Sequence, residues 1–389
     1  MEGRMRNALR GLAGLIVLCM LWAAVVALSA GALAEPMTYT YGGSGDDSIL
    51  AIAASDDGRI VLTGYTNSTD GTLSSRTKSG HSGWALCVDA QGNVLWSFCS
   101  RLGTADRMDA PVFHEDGSVT VVLCAELGER DAYEVIRLDR NGEVVSRKTA
   151  LGGKGVNSLY RPQVTGAGYI LREYGDDLIP KRIALFDFDG NAIREMEEWV
   201  PGSAYTSCLL SQRHAIRVGI SRAMFSAIDA QGNEAILTEL QGVNPDPEGY
   251  AIYLKLVSLP DGGAVAAGRM DGEGVNCGRL TRWDAQGRTA FDWWIQTGNL
   301  LDLACTGSGF AALMAPYEQP AQPEEFTWSL AFFDESGVQT GNLPVGETQT
   351  YNGVLTALPD GGVALAQNTG GMEGDYDVRL TIIPKEDIP

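Results

Sequence analysis

Histidine is scarce in this chain, and its cysteines are not arranged for metal binding. The 389 residues include three histidines and seven cysteines. No two cysteines form a Cys-x-x-Cys pair, and none has the spacing to a histidine that zinc sites use. The sequence therefore contains no zinc motif. Most of the cysteines lie within apolar segments, which predicts buried free thiols that pack as small hydrophobic side chains.

Positive charge is also in short supply. Lysine and arginine number 29 against 49 aspartates and glutamates, which gives a formal net charge of -20. A body this acidic repels nucleic acid and anionic lipid, and so neither is expected as a partner. The acidity favours solubility, and a hydrated acidic surface explains it more simply than cation binding does.

The first 34 residues differ from the rest of the chain. Three arginines precede an apolar run from Leu12 to Leu33, and Ala32-Leu33-Ala34 supplies the small-x-small pattern of a cleavage site before Glu35. We predict that residues 1–34 are a signal peptide or a membrane anchor. The small residues favour cleavage, whereas the length of the run would also suit an anchor. The protein is therefore expected to be exported and either secreted or held at the cell surface, with membrane contact only through this segment.

Two turn motifs alternate along residues 35–389. The first follows a short apolar strand and contains Asp-Gly or Gly-x-Gly. It occurs, in strong, weak or degraded form, at Asp57-Gly58, Asp116-Gly117, Gly166-Ala167-Gly168, Ser211-Gln212-Arg213, Asp261-Gly262, Gly307-Ser308-Gly309 and Asp360-Gly361. Asp-Gly between apolar runs predicts a β-hairpin, because the turn requires a positive φ angle.

The second motif is Asp-x-x-Gly, often followed by Asn. It begins at Asp89, Asp139, Asp187, Asp229, Asp284 and Asp334, with spacings of 50, 48, 42, 55 and 50 residues. A large apolar residue precedes each aspartate, which indicates a buried strand before each turn. The regular spacing indicates a structural repeat of about fifty residues.

Each repeat predicts four antiparallel strands, which is the pattern of a propeller blade. Seven turns of the first kind but only six of the second kind leave the last repeat without its fourth strand. Met37–Tyr41 precedes the first repeat and is expected to pair with Val378–Ile383, which would close the ring. The predicted fold of residues 35–389 is therefore all-β, a seven-bladed β-propeller of four-stranded antiparallel blades closed by the N-terminal strand.

A family resemblance is carried by the first repeat, in Tyr41–Asp47, Ser55–Gly58, Gly64–Gly71, Trp84 and Val88–Trp96. These segments resemble a repeat of secreted bacterial β-propeller proteins, and the resemblance implies an extracellular binding or scaffold module. The last segment also looks loosely like the repeat of quinoprotein-like propellers, in which a tryptophan follows the turn. Neither family's motif carries a catalytic residue that transfers to this chain, so no quinone cofactor is implied.

Function is expected on one face of the ring, where the loops between second and third strands meet the connections between blades. These loops are rich in acidic and aromatic residues that could bind a cation, a sugar or a basic protein patch. The candidate ligand-binding residues are Asp176, Asp177, Asp271, Glu273, Tyr317, Asp375 and Tyr376. The three histidines fall in different repeats, so nothing nominates a catalytic triad.

The leading hypothesis is an exported, non-enzymatic binding or scaffold propeller whose partner is a protein or a carbohydrate at the cell exterior. The alternative is a carbohydrate-active hydrolase or lyase that uses carboxylates of the loop face. No cofactor is expected, although Ca²⁺ stays open at the Asp-x-x-Gly turns, of which Asp187–Gly190 comes closest to a calcium loop. Turn formation explains their repetition better, because aspartate and asparagine side chains cap their own turns.

Overall fold

The computed structural model describes residues 36–73, 80–100, 105–126, 131–153, 161–174, 180–196, 207–218, 223–231, 233–240, 249–272, 277–295, 298–315, 327–347, 353–370 and 376–388. The chain divides into a unit of residues 1–36 and a unit of residues 37–389. The predicted signal peptide or anchor therefore lies outside the described residues. Within those residues, no helix has the length and apolar character needed to cross a membrane.

Seven antiparallel sheets of four strands each make up the described fold. The chain begins with β1 (Met37–Tyr41), which belongs to the seventh sheet. Blade 1 contains β2 (Asp47–Ala54), β3 (Ile60–Thr66), β4 (Ser82–Val88) and β5 (Val94–Cys99). Blade 2 contains β6 (Arg107–Phe113), β7 (Val119–Glu126), β8 (Asp131–Leu138) and β9 (Val144–Gly153). Blade 3 contains β10 (Gln163–Thr165), β11 (Gly168–Tyr174), β12 (Pro180–Phe186) and β13 (Ala192–Met196).

The remaining four blades continue the same order. Blade 4 contains β14 (Ser207–Leu210), β15 (His214–Val218), β16 (Ala223–Ile228) and β17 (Glu234–Leu240). Blade 5 contains β18 (Gly249–Ser258), β19 (Ala264–Gly272), β20 (Cys277–Trp283) and β21 (Thr289–Ile295). Blade 6 contains β22 (Asn299–Thr306), β23 (Gly309–Ala315), β24 (Thr327–Asp334) and β25 (Gln339–Glu347). Blade 7 contains β26 (Gly353–Ala357), β27 (Val363–Thr369) and β28 (Asp377–Ile383), and two short 3-10 helices lie at Gly71–Leu73 and Lys385–Asp387.

This architecture confirms the predicted all-β fold of seven four-stranded blades. The N-terminal strand β1 is the outer strand of blade 7 and pairs antiparallel with β28. In that pairing Thr38 lies opposite Thr381, and Tyr41 lies opposite Val378. The first and last strands of the described fold thus share one sheet, and β1 and β28 form backbone hydrogen bonds with each other.

The hydrophobic core lies between neighbouring blades, because middle strands such as β4 and β23 bury the residues of both their faces. One cluster joins Ile49, Leu62 and Trp84 of blade 1 to Val378 and Leu380 of blade 7. Comparable clusters join blades 1 and 2, blades 2 and 3, blades 4 and 5, blades 5 and 6, and blades 6 and 7. Cross-blade packing of this kind makes stability depend on contacts between repeats as well as within them.

The Asp-x-x-Gly motif forms a capped turn between the third and fourth strands. The Asp187 Oδ1 atom accepts the backbone N–H groups of Asp189 at 3.0 Å and Asn191 at 2.7 Å. The other oxygen accepts the Asn191 side-chain amide at 2.8 Å. The same backbone pattern recurs at the other five aspartates. The turn-forming interpretation of the repeat is therefore confirmed.

Glycine is required in these turns for two reasons. Gly142 has a φ of +80°, which side-chain-bearing residues rarely adopt. A Cβ atom at Gly142 would also lie 2.8 Å from the Trp96 ring, which reaches over from the outer strand of the preceding blade. Trp293 approaches Gly337 in the same way. The repeated glycine thus marks a blade-to-blade contact as well as a turn.

Candidate functional site

Most of the predicted loop-face residues fall outside the described part of the chain. Those residues are Asp176, Asp177, Glu273, Tyr317 and Asp375. The backbone of Asp271 lies in β19 opposite Tyr250. Tyr376 precedes β28, and its carbonyl oxygen accepts the backbone N–H of Asp47 at 2.6 Å. A ligand site on the loop face therefore stays a prediction.

One part of the loop face that the structure describes lies in blade 1, and its polar groups bond to one another. The four consecutive N–H groups from Gly43 to Asp46 each donate to a side-chain oxygen. Their acceptors, in order, are Asp47 Oδ2 at 2.7 Å, Asp70 Oδ1 at 2.6 Å, Ser68 Oγ at 2.9 Å and Asn67 Oδ1 at 2.6 Å. The motif that carries the family resemblance thus ties the entry to blade 1 onto the loop after β3.

Asp47 is the centre of this network and is fully buried. Thr66 and Ser68 donate their hydroxyl groups to its carboxylate. Burial raises the pKa of Asp47, while the hydrogen bonds from Thr66, Ser68 and the Gly43 amide act in the opposite direction. Because its oxygens already have internal donors, Asp47 holds the loop in place and leaves little capacity for a ligand.

A central channel offers a binding space within the described residues. Its volume is about 1120 Å³, and inner strands of several blades line it. Ligand pockets commonly enclose about 300–1,000 Å³, so a small molecule fits this space with room for water. Two ion pairs form part of the channel wall. Neither of them was predicted from the sequence.

The first ion pair joins blades 1, 2 and 3. The Asp109 carboxylate in β6 accepts Arg161 Nε at 2.7 Å and Arg161 Nη2 at 3.0 Å. Arg161 Nη2 also donates to the carbonyl oxygen of Leu50 in β2. The Asp109 side chain is 8% exposed, whereas the Arg161 side chain is 51% exposed. The carboxylate is therefore buried in the wall, and the guanidinium faces the channel.

The second ion pair joins blades 5, 6 and 7 in a similar way. Lys255 Nζ lies 3.0 Å from Asp302 Oδ1, with the lysine side chain 41% exposed and the aspartate 6% exposed. Asp302 Oδ2 accepts the backbone N–H of Leu355 in blade 7 at 2.8 Å. A buried carboxylate again positions a cation at the channel surface.

Irregular backbone on the inner strands accompanies these ion pairs. The pairing of β2 with β3 shifts register between Ile49 and Ala51, and the pairing of β22 with β23 shifts between Leu300 and Asp302. The pairing of β6 with β7 shifts between Asp109 and Val112, where Ala110 has a φ of 53°. Bulges re-aim side chains and backbone groups, and they are frequent next to binding sites.

One mouth of the channel carries charged side chains from the turns of blades 1 and 2. Arg59 Nε donates to Asp57 at 2.9 Å, and Arg59 Nη1 donates to the Gly117 carbonyl at 3.0 Å. Hydrogen bonds from Arg59 and Ser55 lower the pKa of Asp57 to about 2. Arg59 thus links the first turn of blade 1 to the first turn of blade 2 at this mouth.

The class of protein that this fold defines is the seven-bladed β-propeller. No protein-family model matches the chain, and no curated protein sequence matches it. The C-terminal WD40 domain of Sif2 has 8% sequence identity and a TM-score of 0.46, over 90% of this chain and 99% of that chain. Hsv2 of Kluyveromyces lactis has 9% identity and a TM-score of 0.47, over 85% and 98%. The WD40 domain of SCAP from fission yeast has 8% identity and a TM-score of 0.43, over 91% and 95%. Likeness at such low identity concerns the fold alone.

Proposed function

We propose that this protein is an exported binding propeller without catalytic activity, and that its central channel holds the ligand. The observation that carries the proposal is the pair of channel-facing cations, Arg161 and Lys255, each positioned by a buried carboxylate. Groups whose positions are fixed before a ligand arrives lose little entropy on binding, and this favours affinity.

The bonding of the channel carboxylates supports binding over catalysis. Asp109 accepts Arg161 and the Ala110 amide, and Asp302 accepts Lys255 and two backbone amides. A general acid or base must reach the substrate proton directly or through one water. Carboxylates that are buried and already bonded do not meet that condition. The hydrolase or lyase alternative concerns the loop face and stays a prediction.

Export is part of the proposal and rests on the sequence of residues 1–34. Arginines followed by an apolar run and small residues are the features that support it. N-terminal sequencing of the protein recovered outside the cytoplasm is expected to begin at Glu35. Recovery of the whole chain in the cytoplasm alone would contradict export.

Glycan and protein arrays test the binding function. The purified protein is expected to bind at least one arrayed class saturably, and mass spectrometry of a bound glycan is expected to find it intact. The double variant Arg161→Gln, Lys255→Gln should weaken binding by about tenfold or more, because charge-assisted hydrogen bonds are lost. Lys148→Gln is the matched control, since Lys148 is exposed and bonds to Asn191 on the outer surface.

Two outcomes would count against this function. Cleavage of an arrayed glycan would make the protein an enzyme and favour the hydrolase alternative. Equal binding by the double variant and the Lys148→Gln control would place the site away from the channel.

A further inference from the structure

The two channel cations keep hydrogen-bond donors that the fold does not use. Arg161 donates through Nε and Nη2, and its Nη1 group has no partner within the described residues. Lys255 contacts Asp302 through one of the three N–H bonds of its ammonium group. The side chains of Arg161 and Lys255 are 51% and 41% exposed. The remaining donors therefore face the space inside the channel.

Arg161 and Lys255 both interact with the negative charge of Asp302. The Asp109 carboxylate raises the pKa of Arg161 most strongly, and the charge of Asp302 raises it further. Lys255 is in direct contact with that same Asp302. The two cations also line one continuous cavity. Both cations therefore border the space that a ligand in the channel would occupy.

Part of the channel wall beside the cations is apolar. Leu50, Pro111, Leu301 and Val354 line the channel, and each is adjacent or nearly adjacent in sequence to a residue of the two ion-pair groups. Such side chains favour contact with hydrocarbon over water. A ligand that fits this surface has a charged group at one end and an apolar body.

The difference in exposure between the cations and their carboxylates decides which charged group it is. Two cations and two carboxylates sum to zero, and the carboxylates are withdrawn into the wall while the cations face the cavity. The local field at the cations therefore favours an anion. The whole chain carries a net charge of -20, which disfavours a second negative charge on the ligand. A monoanion is the best match.

We infer that the central channel binds the carboxylate of a small organic acid between Arg161 and Lys255, with the acid's hydrocarbon chain against Leu50, Leu301 and Val354. The inference rests on the proposed binding function and adds the class of ligand. The acid forms hydrogen bonds without covalent chemistry.

Calorimetric titration of the purified protein with sodium octanoate tests the inference. Octanoate is expected to bind with one-to-one stoichiometry and a Kd on the order of 1 mM or lower, given its small size. Octylammonium and inorganic phosphate are the comparison probes, because one reverses the charge and the other lacks the hydrocarbon chain. Each is expected to bind at least about tenfold more weakly.

Two variants locate the site. Lys255→Gln should weaken octanoate binding by about tenfold. Asp302→Asn should weaken it too, because the asparagine has one acceptor oxygen and cannot hold both Lys255 and the Leu355 amide. Lys148→Gln should leave the affinity unchanged. Circular dichroism checks that each variant is folded, and the Asp302→Asn result stands even if Lys255→Gln fails to fold.

The inference is overturned if octanoate gives no saturable heat at millimolar concentration, or if octylammonium binds as well as octanoate does. Unchanged octanoate affinity in folded Asp302→Asn or Lys255→Gln would overturn it too. A protein or glycan partner found on the arrays without octanoate binding would refute the organic-acid ligand and leave the binding function standing. Glycan cleavage would refute the non-enzymatic function whatever octanoate does.

Discussion

Replacing Trp84 by alanine is expected to lower the free energy of unfolding by about 3–5 kcal/mol, because it deletes a large buried aromatic ring. Trp84 is 1% exposed and packs in the cluster that joins blade 1 to blade 7. The substitution therefore weakens the packing between the first and the last blade. Urea denaturation followed by circular dichroism measures it.

Two comparison variants make the Trp84 result interpretable. Trp84→Phe keeps an aromatic ring and removes an indole N–H that has no hydrogen-bond partner in the described part of the structure, so its loss should be smaller. Leu95→Ala removes a side chain that is 48% exposed, and it should change stability by less than about 0.5 kcal/mol. A Trp84→Ala loss as small as that of Leu95→Ala would show that blades 1 and 7 do not pack as described.

Acid is expected to destabilise the protein through His214 in blade 4. This side chain is 2% exposed, stacks on Phe225 with ring centroids 5.2 Å apart, and has its Nδ1 atom 2.9 Å from Ser258 Oγ. Burial is the main cause that lowers the pKa of His214 to about 4. Between that value and its ordinary value of about 6.5, the unfolded chain binds the proton more readily than the folded one.

The sign of the pH effect follows from this difference. The stability that neutral His214 contributes is fully present above about pH 6.5 and is lost as the pH falls towards 4, by about 3 kcal/mol in total. His214→Asn cannot titrate, so the stability difference between wild type and variant should shrink across this window. Urea denaturation at a series of pH values measures both proteins, and the other titrating groups cancel in the comparison. Parallel stability curves would contradict the account.

The fold could be predicted because its turns depend on aspartate and glycine residues that can be recognised in the sequence. Each Asp-x-x-Gly turn needs an aspartate that accepts two backbone N–H groups and a glycine with a positive φ angle. The same residue types therefore recur at these turns, from Asp89 to Asp334. The pairing of β1 with β28 followed from counting those turns. Local hydrogen bonds fixed these features, and for that reason residue spacing was enough to find them.

The channel could not be predicted in the same way, because its ion pairs join residues from different blades. Asp109 lies in β6 and Arg161 lies two residues before β10, 52 positions further along the chain, and the local sequence of neither residue indicates the other. One weak indication exists in the repeats. Leu50, Asp109, Arg161 and Asp302 each lie four residues before the end of an inner strand, so they occupy equivalent places in their blades. Charge at such an otherwise apolar position is the signal in the sequence that indicates these ion pairs.

A disulfide cross-link between the first and last strands tests the central claim most directly. Thr38 and Thr381 lie opposite each other in the β1–β28 pair, at a separation that suits a disulfide in antiparallel strands. The double variant Thr38→Cys, Thr381→Cys should form this link on oxidation, and peptide mapping of the non-reduced protein should recover the two segments joined. The control pair Tyr39→Cys, Thr381→Cys should not form it, because neighbouring residues of a strand point to opposite faces. Failure of the first pair to cross-link, or equal cross-linking by the control, would contradict a propeller whose seventh blade contains both ends of the fold.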